Sequence, residues 1–501
     1  MELLTERYHD KIKGVISCYD RVIIQGNLQG LNYAEGMSVF LRSRNIRIFD
    51  YPLFAMEYRE DIRLNAEKIA DENGIEIQFV RKADERKERI IHEILQHRGE
   101  HPGIVAILSA MERCPSYKPW HDKTTHQTYL RHSDGKCLHY YFYFIDEKLG
   151  LGYMRVPTWA PFRLQVYFNG HGWLAGKLHK EGIHHQLLDN AFVDIGNFQK
   201  AQELADNFRV EELHRILDRY AERFCPVQKK LERSYHWSIM QAEYATDIVF
   251  KHQKDLEGIY ENLVRTAIHT VKPEDIATFL GRKLEPQYQD EMGNRFNVRI
   301  EGSRIRHTMG PVSLKMYDKH GLILRIETTV NNPSFFKHYR EVVQRDGSKV
   351  QKIAQVKKNI YSLYGLMRLL QASNRRYLEF ISSLEDKRVG MDRLEKLSMP
   401  TEENGHSYRG INFFEEGDLA ILKTIIRGEF NISGFQNRTL RYHLQGKSPG
   451  QMTRLLKRLR THGLIYKVRD TYKYYLTQLG KAVVTLGLKL RELYMIPQLC
   501  H

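Results

Sequence analysis

The 501-residue sequence contains no run of about 18 apolar residues, the length that a membrane-spanning helix requires. Its start, MELLTERYHDKIKG, lacks the apolar core of a signal peptide, and this predicts a cytoplasmic protein. The five cysteines are far apart and form no C-x-x-C pair, which argues against a disulfide framework. With 42% hydrophobic and 28% charged residues, the composition is that of a globular chain and excludes wholesale disorder.

Acidic residues are scarce in one part of the chain. The whole sequence has 77 Lys and Arg against 61 Asp and Glu, a net charge of +16. The segment from Ala420 to Arg491 contains 15 basic residues and only two acidic ones, so it carries +13 of that charge. A positive field concentrated on one segment predicts a polyanion partner, and nucleic acid is favoured over an anionic membrane surface.

The first 110 residues alternate strand and helix patterns. Strands are predicted at Val15–Gln25, Ile46–Asp50, Ile75–Val80 and Gly103–Ala110, with helical stretches between them. This alternation predicts βαβ units and a mostly parallel sheet, as in a Rossmann-like or RNase H-like α/β domain.

Beyond residue 139 the pattern changes. An aromatic antiparallel hairpin is predicted around Glu147–Gly150, and a helical periodicity covers Phe198–Arg282. A second hairpin turns at residues 318–321, and Pro333–Gln344 and Ile353–Leu384 are predicted helices. The predicted fold is α/β plus α, with an α/β domain (1–197), a helical region (198–294), a hairpin with long helices (295–397), a linker (398–412) and a winged helix-turn-helix (413–501).

The basic segment has helix signals in a characteristic order. Two short helices precede a third, for which Ser448 is the predicted N-cap, Pro449 the first residue and Gly463 the residue just past the end. Two strands, Leu464–Val468 and Tyr472–Thr477, then form a tight hairpin. The segment resembles the MarR-like winged helix-turn-helix class, and this resemblance implies that the third helix enters the major groove of DNA.

The third helix has an apolar face and a basic face. Met452, Leu455, Leu456 and Leu459 have the spacing of an inward stripe. DNA is favoured modestly over RNA as the partner. The predicted nucleic-acid-binding residues are Gln451, Arg454, Lys457, Arg458 and Arg460 on this helix, Lys467, Arg469 and Lys473 on the hairpin, and Arg438 and Arg441 on the second helix.

Taken whole, the chain resembles a widespread bacterial family described as regulator-like or mobile-element-like. The resemblance rests on CYDRVII, CLHYYFYF, the YDK…LRIETT hairpin and GFQNR. It carries over to this chain neither an activity nor a catalytic residue. The YDK…LRIE hairpin is also similar to a segment of plasmid and phage replication initiators, but the chain lacks the His-x-His pair of those enzymes.

Three acids are candidate catalytic residues. Asp20, Asp146 and Glu327 lie in or at the end of predicted strands with apolar neighbours, and a buried acid needs a partner or a metal. Two-metal nucleases and transposases use such carboxylates to hold Mg²⁺. The alternative for each is structural: an ion pair for Asp20 with Arg21, a turn for Asp146, and an ion pair for Glu327.

The sequence therefore favours a nucleic-acid-binding mobile-element or nucleoprotein-complex protein, transposase-like or nuclease-like, with no membrane partner. One alternative is a transcription regulator with a large effector domain. Another is a non-catalytic RNA-binding protein in which the aromatic run Tyr140–Phe144 helps to stack bases. Whether the chain is an enzyme and whether it forms a homo-oligomer are left open.

Overall fold

The computed structural model describes residues 3–81, 86–99, 101–283, 292–299, 302–385, 397–469 and 471–496. Residues 83–85, in the helical stretch predicted between the strands Ile75–Val80 and Gly103–Ala110, and residue 470 of the predicted hairpin lie outside these ranges. The fold is mixed α/β. The strands in chain order are β1 (Ile12–Leu28), β2 (Ile77–Phe79), β3 (Gly103–His121), β4 (Thr128–Asp146), β5 (Gly150–Pro157), β6 (Leu164–Asn169), β7 (His185–Leu188), β8 (Ala191–Ile195), β9 (Tyr235–Phe250), β10 (Met292–Arg299), β11 (Gly302–Met309), β12 (Val312–Lys319), β13 (Ile323–Val330), β14 (Lys337–Val343), β15 (Lys349–Gln355), β16 (Thr401–Glu403), β17 (His406–Tyr408), β18 (Ile465–Lys467) and β19 (Tyr474–Leu476).

The α-helices are α1 (Leu4–Arg7), α2 (Ala34–Ser43), α3 (Tyr51–Asn73), α4 (Lys87–Arg98), α5 (Gly170–Lys180), α6 (Phe198–Asp206), α7 (Val210–Phe224), α8 (Val227–Leu231), α9 (Gln253–Thr270), α10 (Pro273–Phe279), α11 (Leu363–Glu385), α12 (Glu416–Ile425), α13 (Gly428–Ser433), α14 (Asn437–His443), α15 (Pro449–Thr461) and α16 (Gln478–Lys489). Within the described ranges, no helix is long and apolar enough to cross a membrane.

The chain divides into two compact units. Unit 1 comprises Met1–Val15, Ala245–Thr328 and Leu370–His501, and unit 2 comprises Ile16–Tyr244 and Thr329–Leu369.

Unit 2 contains a sheet with the strand order β1-β6-β5-β4-β3-β2. Only the short pairing of β2 with β3 is parallel, whereas β1–β6, β6–β5, β5–β4 and β4–β3 are antiparallel. The prediction of a mostly parallel sheet is therefore wrong, and so is the prediction of a Rossmann-like strand pairing. Short turns connect β3 to β4 and β4 to β5, and a short turn can join only antiparallel neighbours.

Helices cover both faces of this sheet. The aromatic run of β4 contributes side chains to the helix–sheet interface on each face. Tyr141 and Tyr143 pack in a core cluster with Ile91 of α4. Phe142 and Phe144, which point the other way, stack on two rings of α7, with centroids 4.4 and 4.1 Å apart. All five residues from Tyr140 to Phe144 are buried. Since none can reach a base, the predicted stacking role of this run is wrong.

Other predicted elements also differ from the structure, among them Ile353–Leu384, which begins in β15 and is an α-helix only from Leu363. Ile46–Asp50 is no strand but ends in a 3-10 turn at Ile48–Asp50. The helical stretch Phe198–Arg282 is interrupted by β9, whose second half is buried on both faces and so shows no two-residue alternation. Pro333–Gln344 forms a 3-10 turn and then β14, which pairs with β15.

Unit 1 contains the antiparallel strands β10 to β13 in sequential order. The predicted hairpin of β12 and β13 is confirmed. Its turn places His320 and Gly321 at positive φ values of 58° and 69°. Below it, Arg325 and Asp247 are both fully buried and form a bidentate ion pair, Nε–Oδ1 2.6 Å and Nη2–Oδ2 2.7 Å. This pair anchors β13 to β9 within the unit.

The helices α12 to α16 and the hairpin β18–β19 share one apolar core. Within the predicted linker, the structure instead has the hairpin β16–β17, and Leu397 and Ile411 at its flanks are buried in this core. The part of the chain that forms this core also contacts α10, because Arg427, between α12 and α13, forms an ion pair of 2.8 Å with Glu274 of α10.

Candidate functional site

The best-formed candidate surface is built on α15. Its start follows the predicted signals: the side chain of Ser448 accepts from the backbone N–H of Gln451, and Pro449 occupies the first turn. Met452, Leu456 and Leu459 are buried against the segment's core, as predicted. This packing fixes the helix and leaves its other face toward solvent.

Arg458 is the exception on that face. Only 8% of it is exposed, and its guanidinium binds Asp418 of α12 in a bidentate ion pair, Nη1–Oδ1 2.7 Å and Nη2–Oδ2 2.7 Å. Its remaining donors bind the carbonyl oxygens of Arg409 and Gly410. The prediction that Arg458 points toward nucleic acid is wrong, because the residues before α12 cover the end of α15.

Two other predicted residues of α15 are partly engaged by the hairpin β16–β17. Arg460 is exposed but pairs with Glu403 at 3.2 Å, and Glu403 also accepts a hydrogen bond from Thr461. Lys457 is half-buried, with its Nζ 5.7 Å from the ring centre of Tyr408. Neither cation is as available for binding nucleic acid as its position in the sequence suggests.

Five of the other predicted cations are exposed, and we call this set the basic face. Arg454 of α15 is exposed, and β18 and the loop to β19 present further exposed cations next to Tyr472, whose side chain is 82% exposed. Within the described part of the chain, no carboxylate pairs with any member. The basic face consists of Arg438, Arg454, Lys467, Arg469 and Lys473, with the exposed Gln451 beside Arg454.

A short side-chain network holds α14 against the start of α15. The side-chain amide of Asn437 donates to the hydroxyl of Thr453 (3.0 Å) and to the carbonyl of Pro449 (3.1 Å). Its oxygen accepts from Nε of Arg441, which is half-buried and thus positions Asn437. Arg441 therefore has a structural contact in addition to its predicted role.

Of the three predicted catalytic acids, Asp20 has a second acid beside it in unit 2. The carboxylate oxygens of Asp20 and Glu243 lie within 4.8 Å of each other. His171 Nδ1 is 3.1 Å from Asp20 Oδ1, and Asn190 donates to the same oxygen. Thr329 donates to Glu243 at 3.1 Å. Two carboxylates at this spacing suit a hard divalent cation.

Glu243 was missed by sequence reasoning. It lies in β9, where the sequence pattern predicts a helix, so no strand-end argument pointed to it. Arg21 is near this acid, and the negative charge of Glu243 raises the pKa of Arg21 although burial opposes that shift. The signal available from the sequence was two acids, Glu243 and Asp247, within an aromatic and β-branched stretch.

Asp146 lies at the turn after β4 and is not part of the acidic pair. Its Oδ2 accepts hydrogen bonds from Arg219 (2.6 Å) and from the hydroxyl of Tyr220 (2.8 Å). Its Oδ1 accepts from the backbone N–H groups of Lys148 and Leu149. These contacts fit the structural alternative, in which Asp146 closes the turn and fixes α7.

Glu327 belongs to unit 1 and is 2% exposed. Lys315 and the hydroxyl of Tyr317 on the neighbouring strand β12 bind its two carboxylate oxygens, the latter at 2.7 Å. The structural alternative expected an ion pair for Glu327, and Lys315 supplies it, whereas Arg325 binds Asp247.

No protein family model and no curated protein matches the chain. Among solved structures, it is similar to the class II 3-hydroxy-3-methylglutaryl-CoA reductase from Streptococcus pneumoniae bound to NADPH, at 9% identity. The alignment covers 89% of this chain and 78% of the reductase, with a TM-score of 0.18. A TM-score this low identifies no shared fold.

Proposed function

We propose that this protein binds duplex DNA through residues 413–501, which act as a winged helix-turn-helix with α15 as recognition helix and β18–β19 as wing. The carrying observation is the basic face: five cations without a carboxylate partner in the described residues, on α14, on the capped helix α15 and on β18 with the loop to β19. The order of three helices followed by a hairpin supports the same proposal.

DNA is favoured over RNA on geometric grounds. The B-form major groove admits a helix and displays a distinct donor and acceptor pattern for each base pair. The A-form major groove is too deep and narrow for side chains to read. Arg454 is suited to base edges, as is the amide nitrogen of Gln451, whose Oε1 accepts from the backbone N–H of Ser448. Lys467, Arg469 and Lys473 are suited to phosphates.

Replacing Arg454 with Ala should weaken specific duplex binding by about 1–3 kcal/mol, because a base-edge contact is lost.

Replacing Lys473 with Ala should instead lower affinity evenly across sequences and reduce the salt slope by about 1. A selected duplex, titrated at several salt concentrations, measures both. Lys180→Ala removes an exposed cation far along the chain from the basic face and serves as the control. Unchanged binding in both test variants would refute the proposal.

We further propose a metal-dependent strand-cutting activity, transposase-like or nuclease-like, on the acidic pair. Support comes from the closeness of Asp20 and Glu243, which could hold Mg²⁺ with Asn190 and His171 fixing the orientation of Asp20. Magnesium would supply charge neutralisation and an activated water at a phosphodiester. The chain's own residues would hold the ion and orient it.

Asp20→Asn and Glu243→Gln should each remove Mg²⁺-dependent or Mn²⁺-dependent cutting of nucleic acid while leaving duplex binding through the basic face unchanged. Each substitution keeps the shape of the side chain and removes one negative charge from the pair. Gel assays of cutting and binding on the same substrate measure the two properties separately. Asp71→Asn, an exposed acid of α3, is the matched control. Equal cutting by both variants and the wild type would rule out this site.

A further inference from the structure

A cavity of about 130 Å³ lies on the unit 2 sheet, and neither Asp20 nor Glu243 lines it. This volume greatly exceeds the roughly 10–15 Å³ that one water needs. Met240 at its rim is 41% exposed, so the cavity reaches the surface. The polar residues that line it are Gln25, Cys114, His139, Arg155, Arg163 and Gln165.

The strand register places three of these side chains in one row. Gln25 of β1 is paired with Gln165 of β6, which is paired in turn with Arg155 of β5. Paired residues in an antiparallel sheet point to the same face. The two amides each donate one N–H to a neighbour, Asn27 for Gln25 and Tyr153 for Gln165, and each retains a second N–H.

The basic side chains around the cavity are more numerous than the acidic side chains that pair with them. Arg155 shares Glu112 with Lys87, at 3.3 and 2.8 Å. Burial opposes the charge of Glu112, but Lys87 and Tyr141 bind its carboxylate and hold its pKa below the usual range. Within the described residues, Arg163 has no carboxylate partner, and the buried Nε atoms of Arg155 and Arg163 have no acceptor. Positive charge and unused donors therefore remain at the cavity.

His139 adds an acceptor and no charge. Its Nδ1 is 3.1 Å from the carbonyl oxygen of Cys137, which assigns the proton to Nδ1 and leaves Nε2 as an acceptor. Burial, and then the charge of Arg155, lowers the pKa of His139 to about 4. The ring is therefore neutral at pH 7 and could accept a hydrogen bond from a ligand hydroxyl.

We propose that this cavity binds a phosphate group, held by the guanidinium groups of Arg163 and Arg155 and by the free amide N–H groups of Gln25 and Gln165. Arginine matches phosphate oxygens with paired, charge-assisted hydrogen bonds, and two arginines with two amides surround a tetrahedral anion. The phosphate could come from inorganic phosphate or from the 5′ end of a nucleic-acid strand. The proposal needs only unit 2 and does not depend on the basic face.

Arg163→Gln tests it in the full-length protein, since Arg163 has no ion pair in the described residues whose loss would disturb folding. The control is Arg113→Gln, the same substitution at an exposed position on β3 next to Cys114 but on the opposite face. Calorimetry with inorganic phosphate, and with a six-nucleotide single strand carrying either a 5′-phosphate or a 5′-hydroxyl, measures binding.

Arg163→Gln should weaken phosphate binding at least tenfold, and Arg113→Gln should change it less than twofold. Binding of inorganic phosphate identifies the free ion as a ligand, and binding of the 5′-phosphorylated strand alone identifies a strand end. The proposal is overturned if no phosphate probe binds, if both variants lose affinity equally, or if the 5′-hydroxyl strand binds as tightly as the phosphorylated one. Duplex binding by the basic face is unaffected in every case, so this failure is distinct from failure of the proposed function.

Discussion

Replacing Asp418 with Ala is expected to destabilise residues 413–496 by about 3–5 kcal/mol, because it leaves the buried guanidinium of Arg458 without its bidentate partner. Asp418 is 2% exposed and also accepts a hydrogen bond from the backbone N–H of Asn412 at 2.9 Å. Duplex binding should fall with the loss of structure. Hydrogen exchange of α15 measures the change locally, which tryptophan fluorescence cannot do because the four tryptophans lie between residues 120 and 237.

Glu416→Ala, an exposed acid on the same helix, should cost less than about 1 kcal/mol. The pKa of Asp418 gives an independent check: burial raises it, but the hydrogen bonds from Arg458 and from the backbone N–H of Asn412, together with the charges of Arg458 and Arg409, outweigh burial and lower it. A lowered carboxyl pKa stabilises the fold above about pH 4 and loses that contribution as the pH falls further. Equal exchange in Asp418→Ala and Glu416→Ala would contradict a structural role for the pair.

Asp247→Ala is expected to cost about 3–5 kcal/mol in unit 1, because Arg325 and Asp247 are both inaccessible to solvent and bind each other twice. The double variant Asp247→Leu with Arg325→Met should recover much of that loss, since apolar residues of similar volume often replace a buried ion pair without penalty. Denaturant unfolding followed by circular dichroism, with hydrogen exchange of β13, measures both.

The exposed acid Glu257 of α9 provides the control for this second site, and Glu257→Ala should change stability by less than about 0.5 kcal/mol. Recovery in the double variant shows that the unpaired charge of Arg325 does not persist once both partners are apolar. If the double variant is as unstable as Asp247→Ala, the unpaired charge does not account for the effect.

Local signals explain which elements were predictable. Ser448, Pro449 and the apolar stripe of α15 act within a few residues of one another, so the helix and its boundaries follow from the sequence. β9 was not predictable in this way, because strand alternation disappears where both faces are buried. Glu243 was missed together with β9, while Asp20, in the correctly predicted first strand, was found.

The sequence by itself determined where the positive charge lies, how α15 begins and which of its side chains face inward, because these depend on composition and on a periodicity of 3.6 residues. Only the tertiary structure decided which cations are available. Arg454 and Arg458 are four residues apart and equivalent on an isolated helix, but Asp418 and the carbonyls of Arg409 and Gly410 cover one and not the other. The same holds for the acids. Strand position made Asp20 and Asp146 look alike, and long-range packing placed Glu243 beside one and Arg219 and Tyr220 around the other.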